Sequence, residues 1–158
     1  MQDARRSKWD IIIFLSGVAA VVIFDRLTKN FFSGFLGLNE SIAVIPNILH
    51  FSLVHNTGIA FGFFKDCGAV FIIIPVILTG LLIYNIFYYR HTPHLSRTYV
   101  VAFSLILGGA IGNLIDRIML GYVVDFIDFR IWPVFNVADS AITIGAAIIL
   151  LKCIPASK

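Results

Sequence analysis

The sequence from Gly108 to Ser140 reads GGAIGNLIDRIMLGYVVDFIDFRIWPVFNVADS, and its polar residues decide how the rest of the chain is interpreted. It places four acids, two asparagines and two arginines beside long apolar segments. An Arg, Lys or Asp at the centre of a membrane helix costs about 2.5–3.5 kcal/mol on insertion scales. A single such acid is usually a helix-end residue that reaches water. Several acids with asparagine partners at helical spacing indicate a functional site instead.

The overall composition is that of a membrane protein. The 158 residues are 59% hydrophobic and 13% charged, and the mean hydropathy is +0.93. A soluble domain of this size must cover its surface with more polar groups. Long apolar runs between short polar patches therefore predict an all-α membrane protein with several spans. The small net charge of +3, with dispersed basic residues, argues against nucleic acid as a partner.

Four transmembrane helices are predicted, at roughly 10–31, 68–89, 98–116 and 135–152, and together they form one polytopic domain over residues 1–158. Asp25 and Lys29 are i and i+4 near the end of the first helix, where an ion pair at the membrane interface is expected. Within the extracytoplasmic segment at roughly 33–67, Pro46-Asn47 separates two short strand-like runs. This pattern predicts a small β-hairpin platform on the membrane surface, followed by a glycine-containing loop.

The distribution of charge predicts the orientation. Four spans place both termini on one side, and Arg5, Arg6 and Lys8 precede the first span. The positive-inside rule assigns this side to the cytoplasm. All nine acids except Asp3 and Asp10 then lie at the outer face, so a site near the outer leaflet is expected.

The acids of the opening stretch are spaced for acid–base chemistry. Asn113 and Asp116 are i and i+3 on the third helix, and Asn136 and Asp139 repeat this spacing at the start of the fourth. An asparagine can donate a hydrogen bond to a carboxylate and fix its rotamer. Two neighbouring carboxylates cannot both ionise cheaply, so such a pair can activate water and protonate a carbonyl oxygen. From the residues alone, Asp116, Asp125 and Asp139 all remain candidates for this pair.

Other functions explain the same residues less well. A small proton-coupled transporter or channel would space its acids across the bilayer, whereas these acids cluster at one face. A structural or assembly subunit would use Gly108 and Gly112 for helix packing but leaves the acids unexplained. Asp125 and Asp128 are i and i+3, yet no His or Glu cluster accompanies them. No metal and no cofactor is therefore predicted.

Five blocks of the sequence together resemble the type II signal peptidases, the lipoprotein signal peptidases of bacteria. The blocks are DRLTK at 25–29, NTGIAF at 56–61, GGAIGNLIDR at 108–117, VVDF at 123–126 and FNVADS at 135–140. They occur in this order along nearly the whole chain. Each block alone is a moderate signal, and their combination is highly specific.

This resemblance implies an aspartic endopeptidase, multi-pass in the bacterial plasma membrane, that removes the signal peptide of a prolipoprotein before a diacylglyceryl-modified cysteine. It implies that Asp125 and Asp139 are catalytic. The other implied site residues bind or position the substrate (Asn56, Gly58, Asn113, Asp116, Arg117 and Asn136) or support the structure (Asp25 and Lys29). Diacylglyceryl-modified prolipoproteins and membrane lipids are the expected partners, and a monomer is expected.

Overall fold

The computed structural model describes residues 2–58 and 96–153, together with Ile77, Gly80, Leu81 and Tyr84. Its elements in chain order are α1 (Gln2–Phe35), β1 (Ser41–Ile45), β2 (Leu49–Asn56), α2 (Arg97–Leu120), β3 (Val123–Asp128) and α3 (Val137–Cys153). The predicted second span at 68–89 lies outside the described residues except at those four positions, which are helical. The count of four spans therefore stays a prediction.

Two of the described helices are long and apolar enough to cross a membrane, over Lys8–Phe35 and Arg97–Leu120. α1 runs past the predicted end near residue 31 to Phe35, and Phe32 in this extension packs into an apolar cluster with residues of β2 and β3. α2 begins after Ser96, whose side chain accepts a hydrogen bond from the backbone N–H of Thr98. It ends at Gly121, whose φ of 80° is the left-handed conformation that glycine adopts without strain.

The three strands form one antiparallel sheet in the order β1-β2-β3. Asn47 in the first turn has φ 62°, as expected of an asparagine at a turn signal. The sheet is one strand larger than the predicted hairpin. β3, with the sequence VVDFID, was missed because it is buried on both faces and shows no regular alternation of apolar and polar residues.

The sheet is held in place by an apolar cluster at the end of α1. Its buried members are Phe32, Leu36, Leu53, Val124 and Phe126. The rings of Phe32 and Phe126 stack with their centroids 4.3 Å apart. Because successive side chains of a strand point to opposite faces, this packing directs Asp125 away from the cluster and toward the starts of α3 and the loop after β2.

Glycines on α2 allow its neighbours to come very close. A Cβ added at Gly109 would collide with the carbonyl oxygen of Ala138 at the start of α3. One added at Gly112 would lie 2.7 Å from the Asp25 carboxylate oxygen on α1. These contacts bring the polar residues of α1, α2 and α3 into one buried region.

Candidate active site

A group of polar side chains is buried where α1, α2, β3 and the start of α3 meet. The buried members are Asp25, Lys29, Asn113, Asp116, Asp125 and Asn136. Burying a charged or amide group without partners is costly, so such groups are expected to bond to one another. The polar side chains of this region form two groups. In the first, two aspartates are linked to each other through asparagine side chains. The second is an ionic cluster beside that linked pair.

Asp125 is 2% exposed and accepts hydrogen bonds from two amides. Asn136 Nδ2 lies 2.7 Å from one carboxyl oxygen, and Asn56 Nδ2 lies 2.9 Å from the other. Burial, together with the nearby charge of Asp139, raises the pKa of Asp125 to about 7, although the two amide hydrogen bonds act in the opposite direction. This carboxyl group therefore gains and loses a proton near neutral pH, as acid–base catalysis requires.

Asp139 is held in position by hydrogen bonds at the start of α3. Its backbone N–H donates to Asn136 Oδ1 at 2.9 Å, and the Asn136 backbone N–H donates back to Asp139 Oδ2 at 3.2 Å. This reciprocal pair is a capping box, with Asn136 at the N-cap position and Asp139 at the third position of the helix. The second carboxylate oxygen, Oδ1, accepts a hydrogen bond from Asn113 Nδ2 at 2.7 Å. Asp139 is only half-buried, so water can approach it.

Two asparagines connect the two aspartates. The Asn136 amide donates to Asp125, to the Val124 carbonyl at 3.2 Å and to Asn113 Oδ1 at 3.1 Å. Asn113 in turn donates to Asp139. The chain Asp125–Asn136–Asn113–Asp139 is therefore continuous, and it orients both carboxyl groups from elements far apart in sequence.

Asn56, the last residue of β2, is itself held in place. Its Oδ1 accepts a hydrogen bond from the Gly58 backbone N–H at 2.9 Å, while its amide reaches Asp125. Gly58 thus contributes through its backbone. The rest of the NTGIAF block, residues 59–61, lies outside the described residues.

The ionic cluster consists of two cations and two acids. Lys29 Nζ lies 2.8 Å from both Asp25 and Asp116, and Arg26 lies 2.9 Å from Asp116. The expected ion pair of Asp25 and Lys29 is present, with both side chains only 1% exposed, and its place at the membrane interface stays a prediction. α1 continues beyond them, and Gly112 leaves room for the Asp25 carboxylate.

This cluster also separates Asp116 from the pair of aspartates. Both oxygens of Asp116 face cations, and one also accepts a hydrogen bond from the Val124 backbone N–H at 3.2 Å. Asp25 accepts a hydrogen bond from the Ala138 backbone N–H at 2.9 Å, which ties α1 to the first turn of α3. Arg26 was not singled out from the sequence, although its place in the DRLTK block between two site residues was a usable signal.

Arg117 and Asp128 make hydrogen bonds outside the chain that links Asp125 to Asp139. Arg117 donates to the Asn113 carbonyl at 3.3 Å, and its charge interacts with Asp139 and Asp125. Asp128 accepts a hydrogen bond from the Ser52 hydroxyl at 2.7 Å and one from the Arg130 backbone N–H at 2.8 Å. In the described part of the chain, no group of three or more His, Cys, Asp or Glu side chains is placed to hold a metal ion.

Comparison with known proteins places this arrangement in a family. A profile described as signal peptidase (SPase) II matches residues 17–155. The chain belongs to the signal peptidase II family. The resemblance drawn from the five sequence blocks is thus confirmed, and membership makes this chain a membrane peptidase. The transporter and channel alternative is not favoured.

Individual members of the signal peptidase II family are similar over most of their length. The chain is 43% identical to the lipoprotein signal peptidase of Halothermothrix orenii, covering 85% of this chain and 90% of the relative. It is 47% identical to that of Caldanaerobacter subterraneus subsp. tengcongensis, covering 84% and 89%. A solved bacterial membrane enzyme, obtained by the in meso method at 2.3 Å resolution, superposes with a TM-score of 0.78 and 36% identity over 92% of this chain and 87% of that one.

Proposed function

We propose that this chain is an aspartic endopeptidase that hydrolyses the bond before the diacylglyceryl-modified cysteine of prolipoproteins. The observation that carries the proposal is the joined pair of Asp125 and Asp139, with the pKa of Asp125 raised to about 7. A carboxyl group that holds a proton near neutral pH can serve as the acid of peptide hydrolysis, and a second carboxylate beside it can serve as the base. The substrate class is supported by the relatives, which are named lipoprotein signal peptidases.

The proposed reaction uses one proton shared by the pair. Asp139 removes a proton from a water molecule, whose oxygen attacks the scissile carbonyl carbon, while Asp125 donates its proton to the carbonyl oxygen. The tetrahedral intermediate then returns a hydroxyl proton to Asp125. Asp139 gives its proton to the amide nitrogen as the carbon–nitrogen bond breaks. The pair ends in its starting protonation state, and no covalent enzyme intermediate forms.

The substrate is proposed to arrive sideways from the lipid. Large apolar side chains of α1 are about 60% exposed and would face acyl chains, among them Phe24, Leu27 and Phe31. With both termini in the cytoplasm, the site lies at the outer leaflet. Contacts with the diacylglyceryl chains would supply affinity remote from the reacting bond. The β1–β2 hairpin and the segment 56–61, of which 59–61 lie outside the described residues, are the candidates for a clamp over the substrate.

A cleavage assay with two matched substrates tests this function. Purified protein in detergent is mixed with a diacylglyceryl-modified prolipoprotein and, separately, with the same protein lacking the lipid. We expect only the lipidated substrate to be cleaved, and mass spectrometry should show a new N-terminus at the modified cysteine. Equal cleavage of both substrates would contradict the proposed specificity. Absence of cleavage by folded protein would contradict the proposed activity.

A further inference from the structure

We propose that Lys29 is a positioning residue for the reaction, because it fixes the orientation of the Asn113 amide and so the hydrogen bond that Asp139 receives. This inference rests on the proposed function and goes beyond the structural support expected of Lys29 from the sequence. It is carried by the hydrogen bonds around one buried ammonium group.

The Lys29 ammonium is buried and makes three polar contacts inside the protein. It forms ion pairs with Asp25 and Asp116, each at 2.8 Å, and donates a hydrogen bond to Asn113 Oδ1 at 3.0 Å. The first two contacts are sufficient for charge neutralisation. The third goes to a neutral amide that also contacts Asp139, which a purely structural ion pair does not require.

An ammonium group can donate but cannot accept a hydrogen bond. The end of the Asn113 side chain that faces Lys29 must therefore be the oxygen. The NH2 end then faces Asp139 Oδ1, at 2.7 Å. If the Asn113 amide were reversed, its NH2 group would face the Lys29 ammonium, so that donor would meet donor. Its oxygen would then face the Asp139 carboxylate, so that acceptor would meet acceptor.

The two asparagines differ in what orients them. Asn136 is fixed by backbone groups, since it donates to the Val124 carbonyl and accepts from the Asp139 N–H. Among the described contacts, the side chain of Asn113 meets only other side chains: Lys29, Asn136 and Asp139. Lys29 and Asn136 both donate to Asn113 Oδ1, and Lys29 is the charged donor of the two, so it makes the stronger of the two contacts that set the direction of this amide.

The direction of this amide matters for the reaction. A hydrogen bond donated to a carboxylate favours its ionised form, and Asp139 must be ionised to accept a proton from water. The charge of Lys29 also favours ionisation of Asp125. The other charged groups around this network are Asp25, Arg26, Asp116 and Arg117. Loss of Lys29 is therefore expected to move the pH profile of kcat to higher pH.

A charge-balanced double variant separates the positioning role of Lys29 from its role in neutralising the buried acids. D25N/K29M removes one acid and one cation together, leaves the Arg26–Asp116 pair intact, and keeps an oxygen at residue 25 for the Ala138 N–H. We expect a folded enzyme whose kcat falls about 10- to 150-fold, the worth of one hydrogen bond to a charged group, with a small change in KM. A double variant with the kcat and pH profile of the wild type would overturn the inference.

A thermodynamic cycle with N113A gives an independent readout. If Lys29 acts through Asn113, the triple variant D25N/K29M/N113A loses no more kcat than N113A alone. Additive losses would contradict this route. Should D25N/K29M not fold, D25N/K29Q keeps a donor at residue 29; a folded D25N/K29Q with a kcat as low as that of N113A would also contradict it.

The same experiments distinguish this inference from the proposed function. Wild-type protein that fails to cleave the lipidated prolipoprotein, or a D139N variant that cleaves it normally, contradicts the function itself. Active wild-type protein together with fully active D25N/K29M contradicts only the role of Lys29.

Discussion

Two aspartates on β3, three residues apart, have opposite electrostatic environments. Burial and the charge of Asp139 raise the pKa of Asp125 to about 7. Burial also acts to raise the pKa of Asp128, but hydrogen bonds from Ser52 and from the Arg130 N–H outweigh it, and this pKa lies below the ordinary carboxyl value. A raised pKa suits a proton donor at neutral pH, whereas a lowered pKa suits a permanent anion in a structural contact.

The pKa of Asp125 predicts how activity depends on pH. In the proposed mechanism Asp125 must carry a proton, so kcat/KM is expected to fall as the pH rises through about 7, approaching a tenfold loss per pH unit. Initial rates on the lipidated substrate between about pH 5 and 9 measure this profile. A rate that stays constant up to pH 9, in enzyme shown to remain folded, would exclude Asp125 as the proton donor.

The raised pKa of Asp125 also predicts how the stability of the protein depends on pH. A carboxyl whose pKa is raised in the folded state stabilises the fold below its unfolded pKa, near 3.8, and this contribution is lost as the pH rises toward about 7. D125N lacks this titration. The stability of D125N relative to wild type should therefore increase from about pH 4 to pH 8, by an amount on the order of a few kcal/mol. Thermal unfolding of D125N and wild type across this pH range measures the difference in stability between them. A difference that does not change with pH would contradict the prediction.

The pKa of Asp128 is shifted in the opposite direction, so its contribution to stability depends on pH with the opposite sign. Its lowered pKa means that its contribution to stability is present above the unfolded value of 3.8 and is lost as the pH falls through the lower folded value. The melting temperature of wild type should thus drop toward that of D128N in acid. A difference between the two proteins that is unchanged down to about pH 2 would argue against this contact.

At the scale of elements, close helix contacts position the site. α2 approaches α1 at Gly112 and α3 at Gly109, so that Asp25 reaches the first turn of α3 and Asn113 reaches Asp139. The site therefore depends on helix spacing as much as on the polar residues themselves. A shift of α3 by the width of a methyl group would lengthen the hydrogen bonds that orient Asp139.

Adding a single methyl group tests this dependence. G112A places a Cβ 2.7 Å from the Asp25 carboxylate, and we expect a destabilisation of about 1–3 kcal/mol with reduced cleavage. G34A on α1 is the matched control, because no atom lies within 4 Å of its added Cβ. That change should be neutral or slightly stabilising. Equal melting temperatures and rates for both variants would show that the close approach at Gly112 is not needed.

At the scale of the whole molecule, the sequence predicted the described helices better than the sheet. Apolar length marked α1, α2 and α3, and the turn signal marked the β1–β2 hairpin. The strand β3 was missed because burial on both faces removes alternation. The choice of Asp125 over Asp116 came from family resemblance, because residue spacing does not reveal that Asp116 faces two cations. The burial of Lys29 was equally hidden, since hydropathy does not encode which polar groups meet in space.

The measurement that tests the central claim most directly compares three Asp→Asn variants on the lipidated prolipoprotein. D125N and D139N are expected to lose at least about 100-fold in rate, as for removal of a catalytic acid or base. D128N, on the same strand as Asp125 but bonded to Ser52 and Arg130, should cleave at close to the wild-type rate. Normal cleavage by folded D125N or D139N would contradict the aspartic mechanism, as would a loss in D128N as large as theirs.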